Sequence, residues 1–394
     1  MFVKQQGEME DLLSAALNIE IDEAYLDVHY RSRNADLIAF SNDKFYNSRL
    51  QAIPGHPANR TRYAPLTLYR AKGTYDKRAN VIEADKVCSI VRDLLRRASP
   101  PSIGIASFNI TQRDLIIDRL EEMASADPAF AHALATARQK QGQGSFEGLF
   151  VKNLENVQGD ERDHIIISTT YGPDPQGRFY RRFGPVGRGD GGRRLNVLVT
   201  RAREEVHLVT SIPETAYRNT PPVPPGVAPG GAFLLFAYLR FAESLARIYE
   251  ERHLEYQNAE ERKEILVQVR DTRFPSQFAN QLAERLKNSH KIGSDVHWGN
   301  EGFCVDLALH HPKHLEDVTI GIQCDMNRFE QAADPVEWEV FRNWVLEYQG
   351  WKINRVWSPH FFRDRKPIVQ RILTDVEEFL ASEPPRDAVS VSRE

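Results

Sequence analysis

Residues 155–168 read ENVQGDERDHIIIS, and residues 193–203 read RRLNVLVTRAR. In the first stretch, a Gln-Gly pair and four charged residues lead directly into the apolar run 165–167. A short apolar run of this kind is typical of a buried strand in a parallel sheet. We therefore expect the polar loop at 158–163 to lie at an edge of the sheet, where ligands of α/β folds bind.

The sequence around these two stretches alternates predicted helices with predicted strands. Apolar residues at helical spacing predict a helix over 81–95. The apolar run 102–108 predicts a buried strand, and a second helix is predicted to begin near Gln112. Residues 206–211 predict the last strand of this region. Such alternation predicts an α/β fold with a parallel sheet covered by helices.

The two quoted stretches resemble motifs V and VI of superfamily 1 helicases, which line the nucleotide cleft on the second RecA-like motor domain. The resemblance implies that Arg201 is an arginine finger, which neutralises charge on the transferred phosphoryl group. It also places Gln158, Gly159 and Glu161 in the nucleotide site, with Glu161 at the sugar. A glycine in such a loop lets the backbone approach a ligand closely. The alternatives are a solvated loop and an arginine on a solvated helix face.

The amino-terminal region carries a second block of the same resemblance. Residues 30–32 (YRS), 40–42 (FSN) and 45–46 (FY) are similar to the block that opens the second motor domain in the branch containing the nonsense-mediated-decay helicase. The resemblance implies that Arg31 reaches the γ-phosphate from the side opposite the finger. It also implies nucleic-acid contacts from residues of motifs IV and VI, namely Gln112, Asn196 and Thr200.

The sequence lacks the other half of an ATPase site. Phosphoryl transfer requires a backbone cradle, a lysine on the phosphates and acidic Mg²⁺ ligands. No Gly-x-x-x-x-Gly-Lys-Ser/Thr pattern and no Gly-Lys pair occur in the 394 residues. We therefore expect ATP to bind only together with a first motor lobe. That lobe would be supplied in cis by a longer protein, which is the interpretation we favour, or in trans by a split gene.

The composition is that of an ordinary globular protein. The length of 394 residues predicts two or three domains. A net charge of −4 does not indicate nucleic-acid binding, although a local basic groove suffices to hold a strand. Three cysteines without CxxC spacing indicate neither a disulfide framework nor a zinc site. Since no signal peptide and no 18-residue apolar run occur, we expect a cytoplasmic protein without a membrane partner.

Changes in composition divide the chain into five predicted segments. The Pro-rich stretch 221–231 indicates an extended linker, and the Leu-, Ala-, Glu- and Arg-rich stretch after it indicates long helices. The predicted segments are a second RecA-like domain at 1–213, a Pro/Gly-rich linker at 214–232, a helical arm at 233–271, a nuclease-fold domain at 272–384 and a tail at 385–394.

The last of these domains resembles a different family. Residues 302–309 (GFCVDLAL) and 320–325 (IGIQCD) predict two strands that each carry an aspartate, and residues 350–358 read GWKINRVWS. These features are similar to the Vsr-type branch of the PD-(D/E)XK nucleases, which have an α/β restriction-endonuclease-like fold. The resemblance implies a catalytic Mg²⁺ or Mn²⁺ site formed by Asp306, Gln323 and Asp325. It also implies contacts of Lys352 and Arg355 with DNA phosphates.

Two departures from that family weaken the predicted metal site. Gln323 stands where the family commonly has a glutamate, and Ala279 stands where the preceding helix usually carries one. Fewer anionic ligands bind Mg²⁺ more weakly. Glu301 or Glu337 could compensate; the alternative is an inactive module that is kept for DNA binding or docking.

Together these features predict the C-terminal half of an ATP-dependent superfamily 1 nucleic-acid helicase or translocase with an appended endonuclease domain. The appended domain favours DNA over RNA as the partner, and a role in defence or repair follows only by analogy. The alternative function is a stand-alone DNA-binding adaptor, or a split-motor subunit that docks on a separate ATPase half without catalysis of its own.

Overall fold

Two sheets organise the chain in the computed structural model, which describes residues 28–53, 55–56, 64–142, 146–188, 191–221, 223, 227–257, 277–298, 304–313, 318–325, 336 and 340–382. The strands in chain order are β1 Val28–His29, β2 Gln51–Ala52, β3 Leu66–Arg70, β4 Ile103–Ser107, β5 Phe150–Asn153, β6 Arg162–Ser168, β7 Ala202–Thr210, β8 Ser294–Trp298, β9 Val305–His310, β10 Val318–Cys324 and β11 Ile353–Val356. The helices are α1 Asp36–Phe45, α2 Val81–Leu95, α3 Ile110–Ala126, α4 Pro128–Arg138, α5 Gly191–Val199, α6 Glu214–Arg218, α7 Gly231–Gln257, α8 Gln277–His290, α9 Arg342–Tyr348, α10 Ser358–Arg363 and α11 Arg365–Ser382. Within these described ranges, no helix combines the length and apolarity that crossing a bilayer requires.

The first sheet confirms the parallel sheet predicted from the sequence. Its strand order is β3-β7-β6-β4-β5, and every neighbouring pair is parallel. The apolar run 165–167 lies in β6, between β7 and β4. Ile165 and Ile167 belong to the core on one face of the sheet, and Ile166 belongs to the core on the other. The run is continuously apolar because both faces of this strand are buried.

Helices cover both faces of the first sheet. The helices α1, α5 and α7 pack on the face of Ile165, while α2, α3 and α4 pack on the face of Ile166. The helix predicted at 81–95 is confirmed, and its start is set by Asn80, whose side chain accepts from the backbone N of Glu83 at 3.1 Å. Asn109 caps α3 in the same way, so this helix begins before the predicted Gln112. Such caps satisfy amide groups that would otherwise lack partners.

The predicted linker and arm are partly joined to the first unit. The short helix α6 lies inside the predicted linker 214–232, and α7 begins at Gly231. Leu235, Phe236 and Leu239 of α7 are buried in the core beside the first sheet. Because this apolar stripe packs onto the lobe, the first part of the predicted arm is a covering helix of that lobe. Residues 258–276 lie outside the described ranges.

The second sheet is mixed and has the strand order β11-β10-β9-β8. The β10/β11 pair is parallel, and the other two pairs are antiparallel. The helices α8, α10 and α11 cover one face, with Leu307 and Ile322 in the core between them. Trp298 and Trp351 belong to a separate core that includes residues of α9. The two strands predicted in this domain are β9 and β10.

Residues 28–33, which we call the shared segment, contact both units. Ser32 Oγ donates to the carbonyl of Ala202, at the start of β7, at 3.1 Å. The side-chain amide of Gln349, which follows α9, donates to the carbonyl of Tyr30 at 3.0 Å and to that of Ser32 at 3.2 Å. The shared segment is therefore hydrogen-bonded to the first sheet and to the second unit.

Candidate nucleotide and nucleic-acid sites

Arg31 and Glu161 meet at the amino-terminal edge of the first sheet. Arg31 Nε and Glu161 Oε2 are 2.5 Å apart, and Arg31 Nη1 donates to the carbonyl of Thr200 at 3.4 Å. Because Thr200 directly precedes Arg201, this contact holds the shared segment against the loop that carries Arg201. Three side chains predicted from separate motifs, Arg31, Glu161 and Arg201, therefore form one cluster.

Arg201 carries its charge in this cluster without a salt bridge to any described residue. Its Nε donates to the carbonyl of Val197 at 2.9 Å, which fixes the guanidinium against the end of α5. Burial, and then the neighbouring Arg31, lower the pKa of Arg201, while Glu161 opposes that shift. Two guanidinium groups beside one carboxylate leave a net positive charge, and an anion placed there would be stabilised.

The cluster forms because β6 and β7 begin side by side. Arg162 pairs with Ala202 in the register of the two strands, so the residues before them, Glu161 and Arg201, are neighbours. Gly159 has a φ of 88°, a left-handed conformation that glycine adopts without strain. Open α/β sheets usually bind ligands at the carboxyl ends of their strands, whereas this cluster lies at the amino ends. The sequence analysis placed the loops at an edge of the sheet but did not say which.

The other residues predicted from these motifs lie around the cluster. Gln158 is exposed near the tip of its loop. Asn196 Nδ2 donates to the hydroxyl of Tyr46 at 3.2 Å, and Thr200 Oγ1 donates to the carbonyl of Asn196 at 3.0 Å. These bonds join α5 to the residue after α1 and close the last turn of α5. The contact of Asn196 and Thr200 with nucleic acid stays a prediction.

Gln112 lies at the opposite, carboxyl-terminal edge of the first sheet and is fully buried. Its Nε2 donates to the carbonyl of Asn80 at 2.9 Å and to Ser168 Oγ at 3.2 Å, while its Oε1 accepts from the backbone N of Asn80 at 2.7 Å. In this arrangement Gln112 ties α3 to the start of α2 and the end of β6. A contact between Gln112 and nucleic acid would require this network of hydrogen bonds to open.

A cavity of about 800 Å³, which we call the basic groove, opens at the same carboxyl-terminal edge. Its lining combines cations with aromatic rings, among them Arg78, Arg181, Arg182, Arg188, Tyr75, Phe108, Tyr171 and Tyr180. Its two carboxylates are each paired with an arginine: Asp174 with Arg178 at 3.0 Å, and Glu155 with Arg194 at 3.5 Å. The sequence analysis missed this groove. The signal for it is residues 178–188 (RFYRRFGPVGR), in which basic and aromatic residues alternate.

In the second unit, Asp306 and Gln323 lie next to one another on neighbouring strands. The register of Leu307 with Ile322 places them side by side on β9 and β10, and both side chains are buried. Asp306 Oδ2 accepts from the backbone N of Cys324 at 2.8 Å. The buried amide of Gln323 has no hydrogen-bond partner among the described residues. Buried amides without a hydrogen-bond partner are rare in folded proteins.

Asp325 and Ala279 do not complete a set of carboxylates around that amide. Both oxygens of Asp325 accept from Ser358, at 2.5 Å from its backbone N and at 2.7 Å from its Oγ, so Asp325 caps α10. Ala279 is fully buried in the core under the sheet and offers no ligand. Neither Asp325 nor Ala279 therefore replaces the negative charge that is lost where Gln323 stands in place of a glutamate.

Two further potential metal ligands beside Asp306 are not oxygen donors. His297 and Cys304 offer a ring nitrogen and a thiol, and these atoms lie within 4.8 Å of each other and of the Asp306 carboxylate. Mg²⁺ binds oxygen ligands in near-ideal octahedral geometry. The residues present therefore fit Mg²⁺ poorly. Glu301 and Glu337, named as compensating residues, lie outside the described ranges.

Lys352 directly precedes β11 and Arg355 lies within it, and the two side chains have different surroundings. Lys352 Nζ is 3.0 Å from the carboxylate of Glu378 and 3.7 Å from that of Asp375, so acidic neighbours offset its charge. The Arg355 guanidinium lies 6.0 Å from the ring centre of Trp357, and burial lowers the pKa of Arg355. The contact of these two side chains with DNA stays a prediction.

Two family models match separate parts of the chain. Residues 5–212 match a model described as an AAA domain. Residues 278–376 match a restriction-endonuclease-like model designated REase_MTES_1575. The first match contains the Arg31, Glu161 and Arg201 cluster, and the second contains both strands that carry Asp306 and Gln323.

Relatives in two mycoplasmas are similar over most of this chain. A protein of Mycoplasma genitalium named as an uncharacterized ATP-dependent helicase is 30% identical over 345 residues, which are 84% of this chain and 28% of that protein. Its homologue in Mycoplasma pneumoniae is 27% identical over 351 residues, 88% of this chain and 29% of that protein. The chain spans less than a third of either relative. The solved C-terminal domain of a possible DNA helicase from Lactobacillus plantarum WCFS1 is 17% identical, with 46% of this chain and 86% of that one covered and a TM-score of 0.23.

Proposed function

We propose that the first unit of this chain, which belongs to the AAA domain family matched by residues 5–212, is the second RecA-like lobe of an ATP-dependent motor. The resemblance to superfamily 1 helicases is confirmed by that match and by the helicase relatives. The restriction-endonuclease-like unit is confirmed by the match over 278–376. The activity of a whole motor is part of the proposal, because the chain spans less than a third of those relatives.

The observation that carries this proposal is the convergence of Arg31, Glu161 and Arg201. Glu161 and the carbonyl of Thr200 hold Arg31 in place, and the carbonyl of Val197 holds Arg201 through Nε alone. The Nη groups of Arg201 have no partner among the described residues, so they are available to an anion. This donor set fits the phosphates of ATP, whose hydrolysis supplies the energy of a motor. Arg201 would neutralise the charge that develops on the transferred phosphoryl group, and Glu161 would orient Arg31.

The rest of the nucleotide site would come from a first lobe, because the printed sequence contains no phosphate-binding loop. That lobe would supply the lysine and the Mg²⁺ ligands. We propose that the second lobe extends through α7, since Leu235, Phe236 and Leu239 are buried in its core. The remaining predicted boundaries, of the linker, the nuclease-fold domain and the tail, stay proposals.

Nucleic acid would bind in the basic groove. Arginine side chains track a phosphate backbone, and exposed aromatic rings such as that of Tyr180 offer stacking surfaces for bases. Arg182 and Arg188 are exposed and form no salt bridge with any described residue, so both can contact phosphates. DNA is favoured over RNA because a restriction-endonuclease-like unit is part of the same chain. The poor Mg²⁺ ligand set around Asp306 and Gln323 supports slow DNA cleavage by that unit, or none.

Substitution of the proposed finger tests the nucleotide site. In the longer helicase, or in this chain combined with a first lobe, Arg201→Ala should lower kcat for ATP hydrolysis at least about 1000-fold. Strand binding should be nearly unchanged, because the finger acts on charge in the transition state. Arg193→Ala removes an exposed arginine from the same helix and is the matched control. An Arg201→Ala enzyme with a kcat within about twofold of the wild type would exclude the finger role.

Salt dependence tests the basic groove. Binding of labelled single-stranded DNA and RNA of one sequence is measured by fluorescence anisotropy from low to high salt. Each phosphate contact contributes about 0.7 to the slope of log K against log salt for single strands. The double variant Arg182→Ala, Arg188→Ala should therefore reduce the slope by about 1.4. Arg138→Ala removes an arginine of α4 that pairs with Glu121 of α3, outside the groove, and should leave the slope unchanged. An unchanged slope in the double variant would place the strand elsewhere.

A further inference from the structure

Three potential metal ligands come together on β6 and β7, away from both sites described above. His164 pairs with Glu205 in the register of the two parallel strands, and His207 lies two residues further along β7. Both imidazoles are buried, with 2% of each residue exposed, and the Glu205 side chain is 13% exposed. These three side chains therefore form one compact, mostly buried group.

The separations between the three ligand atoms match a metal site. His164 Nδ1 and His207 Nε2 are 3.0 Å apart, and Glu205 Oε2 lies 3.5 Å from the first and 3.9 Å from the second. A triangle with these sides has a centre about 2.0 Å from each corner, which is the usual length of Zn–N and Zn–O bonds. An ion at that point would contact all three atoms once the histidine that donates in the Nδ1–Nε2 hydrogen bond carries its proton on its other ring nitrogen.

Two of the three ligands, His207 and Glu205, also have an outer partner at hydrogen-bond distance. The hydroxyl of Tyr69 lies 3.3 Å from His207 Nδ1, the ring nitrogen that faces away from the centre. Thr67 Oγ1 donates to the other oxygen of Glu205 at 3.4 Å, and a Glu204 oxygen lies 3.8 Å from His164 Nε2. Metal-bound histidines almost always have such a partner on the second nitrogen, which fixes the ring orientation.

The chemistry of the ligands suits a cation. Neutral imidazole and carboxylate are ligands of Zn²⁺, and the set of two histidines and one glutamate is among those that hold it. Mg²⁺ and Ca²⁺ would bind this set of ligands weakly, because both ions prefer oxygen ligands.

We propose that His164, His207 and Glu205 bind one Zn²⁺ ion, or a divalent ion of similar chemistry, between β6 and β7. The ion would link β6 and β7 a few residues after the loops that carry Glu161 and Arg201. It would therefore stabilise the part of the sheet from which the cluster of Arg31, Glu161 and Arg201 extends. This site does not depend on ATP hydrolysis, so it stands or falls separately from the proposed motor function.

Metal analysis of the 394-residue chain tests the site. The chain is stripped with a chelator, incubated with Zn²⁺ and passed through a desalting column, after which elemental analysis should find one zinc per chain. At a free Zn²⁺ concentration about 100-fold above Kd, the Tm should rise by about 5–10 °C. Glu205→Gln keeps the size and shape of the Glu205 side chain and removes its charge. It should weaken Zn²⁺ binding at least about 100-fold, since the loss of an outer partner alone costs about 10–100-fold in affinity.

Two further variants separate this site from the group formed by His297, Cys304 and Asp306. His297→Gln should still bind one zinc, whereas His207→Gln should bind none. Co²⁺ in place of Zn²⁺ should give visible bands without a sulfur-to-cobalt charge-transfer band, because no cysteine belongs to the proposed site. Zinc lost only in His297→Gln, or a charge-transfer band that disappears in Cys304→Ser, would assign the metal to the second unit and overturn the proposal. A stripped chain that takes up no zinc at all would identify the pair as a hydrogen-bonded histidine pair only.

Discussion

The hydrogen bonds between Gln349 and the shared segment offer a measurable link between the two units. Gln349 is fully buried, and its amide donates to the carbonyls of Tyr30 and Ser32, on either side of Arg31. Truncation to alanine leaves both carbonyls without this donor. A buried acceptor that loses its partner costs about 1–3 kcal/mol.

The expected size of the effect follows from the burial of the two acceptors. Tyr30 is half exposed, so its carbonyl is assigned about 1 kcal/mol, whereas the buried Ser32 is assigned about 2 kcal/mol. The sum of about 3 kcal/mol corresponds to a roughly 100-fold increase in local opening of the shared segment, since 1.4 kcal/mol is a factor of ten. Gln349→Glu should open the segment at least as much, because a carboxylate would face two carbonyl oxygens.

Amide hydrogen exchange followed by mass spectrometry reads this opening directly. Peptides that cover 28–33 should exchange roughly 100-fold faster in Gln349→Ala, while peptides from β4, in the centre of the first sheet, should be unchanged. Gln370→Ala removes an exposed glutamine from α11 in the same unit and is the control. Equal exchange of 28–33 in the wild type, Gln349→Ala and Gln349→Glu would refute the idea that Gln349 holds the shared segment.

Three other outcomes are expected. The 394-residue chain alone should show no ATP hydrolysis dependent on Arg201 in a coupled assay, because its sequence has no phosphate-binding loop. Plasmid cleavage by the chain should be absent or slow in Mg²⁺ and more visible in Mn²⁺, and Gln323→Glu should increase it. Rapid wild-type cleavage in Mg²⁺ that is lost in Asp306→Ala would contradict the weakened metal site. Burial, and then Arg31, lower the pKa of His29 from 6.5 to about 4, so the unfolded chain takes up a proton that the folded chain does not as pH falls between those values. Urea unfolding should therefore show about 3 kcal/mol less stability at pH 4 than above pH 6.5 from this residue, and His29→Asn should reduce that difference.

The parallel sheet could be predicted from the sequence because its signals are local. The same holds for the choice of Arg31, Glu161 and Arg201, the three residues that form the cluster. The run 165–167 is apolar since both faces of β6 are buried, and each motif residue lies in a short stretch that can be recognised without a structure. The amino-terminal edge follows from chain order, because the loop at 158–161 directly precedes β6 and Arg201 directly precedes β7. The burial of Gln112 was not predictable, since it depends on Asn80 and Ser168, residues that only the fold brings near.

Contacts over long sequence distances account for the rest of what the sequence did not reveal. Gln349 and Tyr30 are separated by 319 residues, and no periodicity links them. His164 and His207 are 43 residues apart, on strands whose register is set by the packing of the sheet. Cysteine and histidine spacing rules find metal sites whose ligands are close in sequence. They do not find ligands contributed by two neighbouring strands of a parallel sheet.

Arg31 occupies a position from which the two units can influence each other. Its own side chain is held by Glu161 and the carbonyl of Thr200, and the backbone on either side of it is held by Gln349. Coupling between distant sites requires an element with two arrangements that both sites bias. If the shared segment is that element, faster exchange of 28–33 in Gln349→Ala should be accompanied by weaker protection of the loop at 158–161. Faster exchange of 28–33 with an unchanged loop would instead show that the segment opens without disturbing the nucleotide cluster, and the two units would then be joined but not coupled.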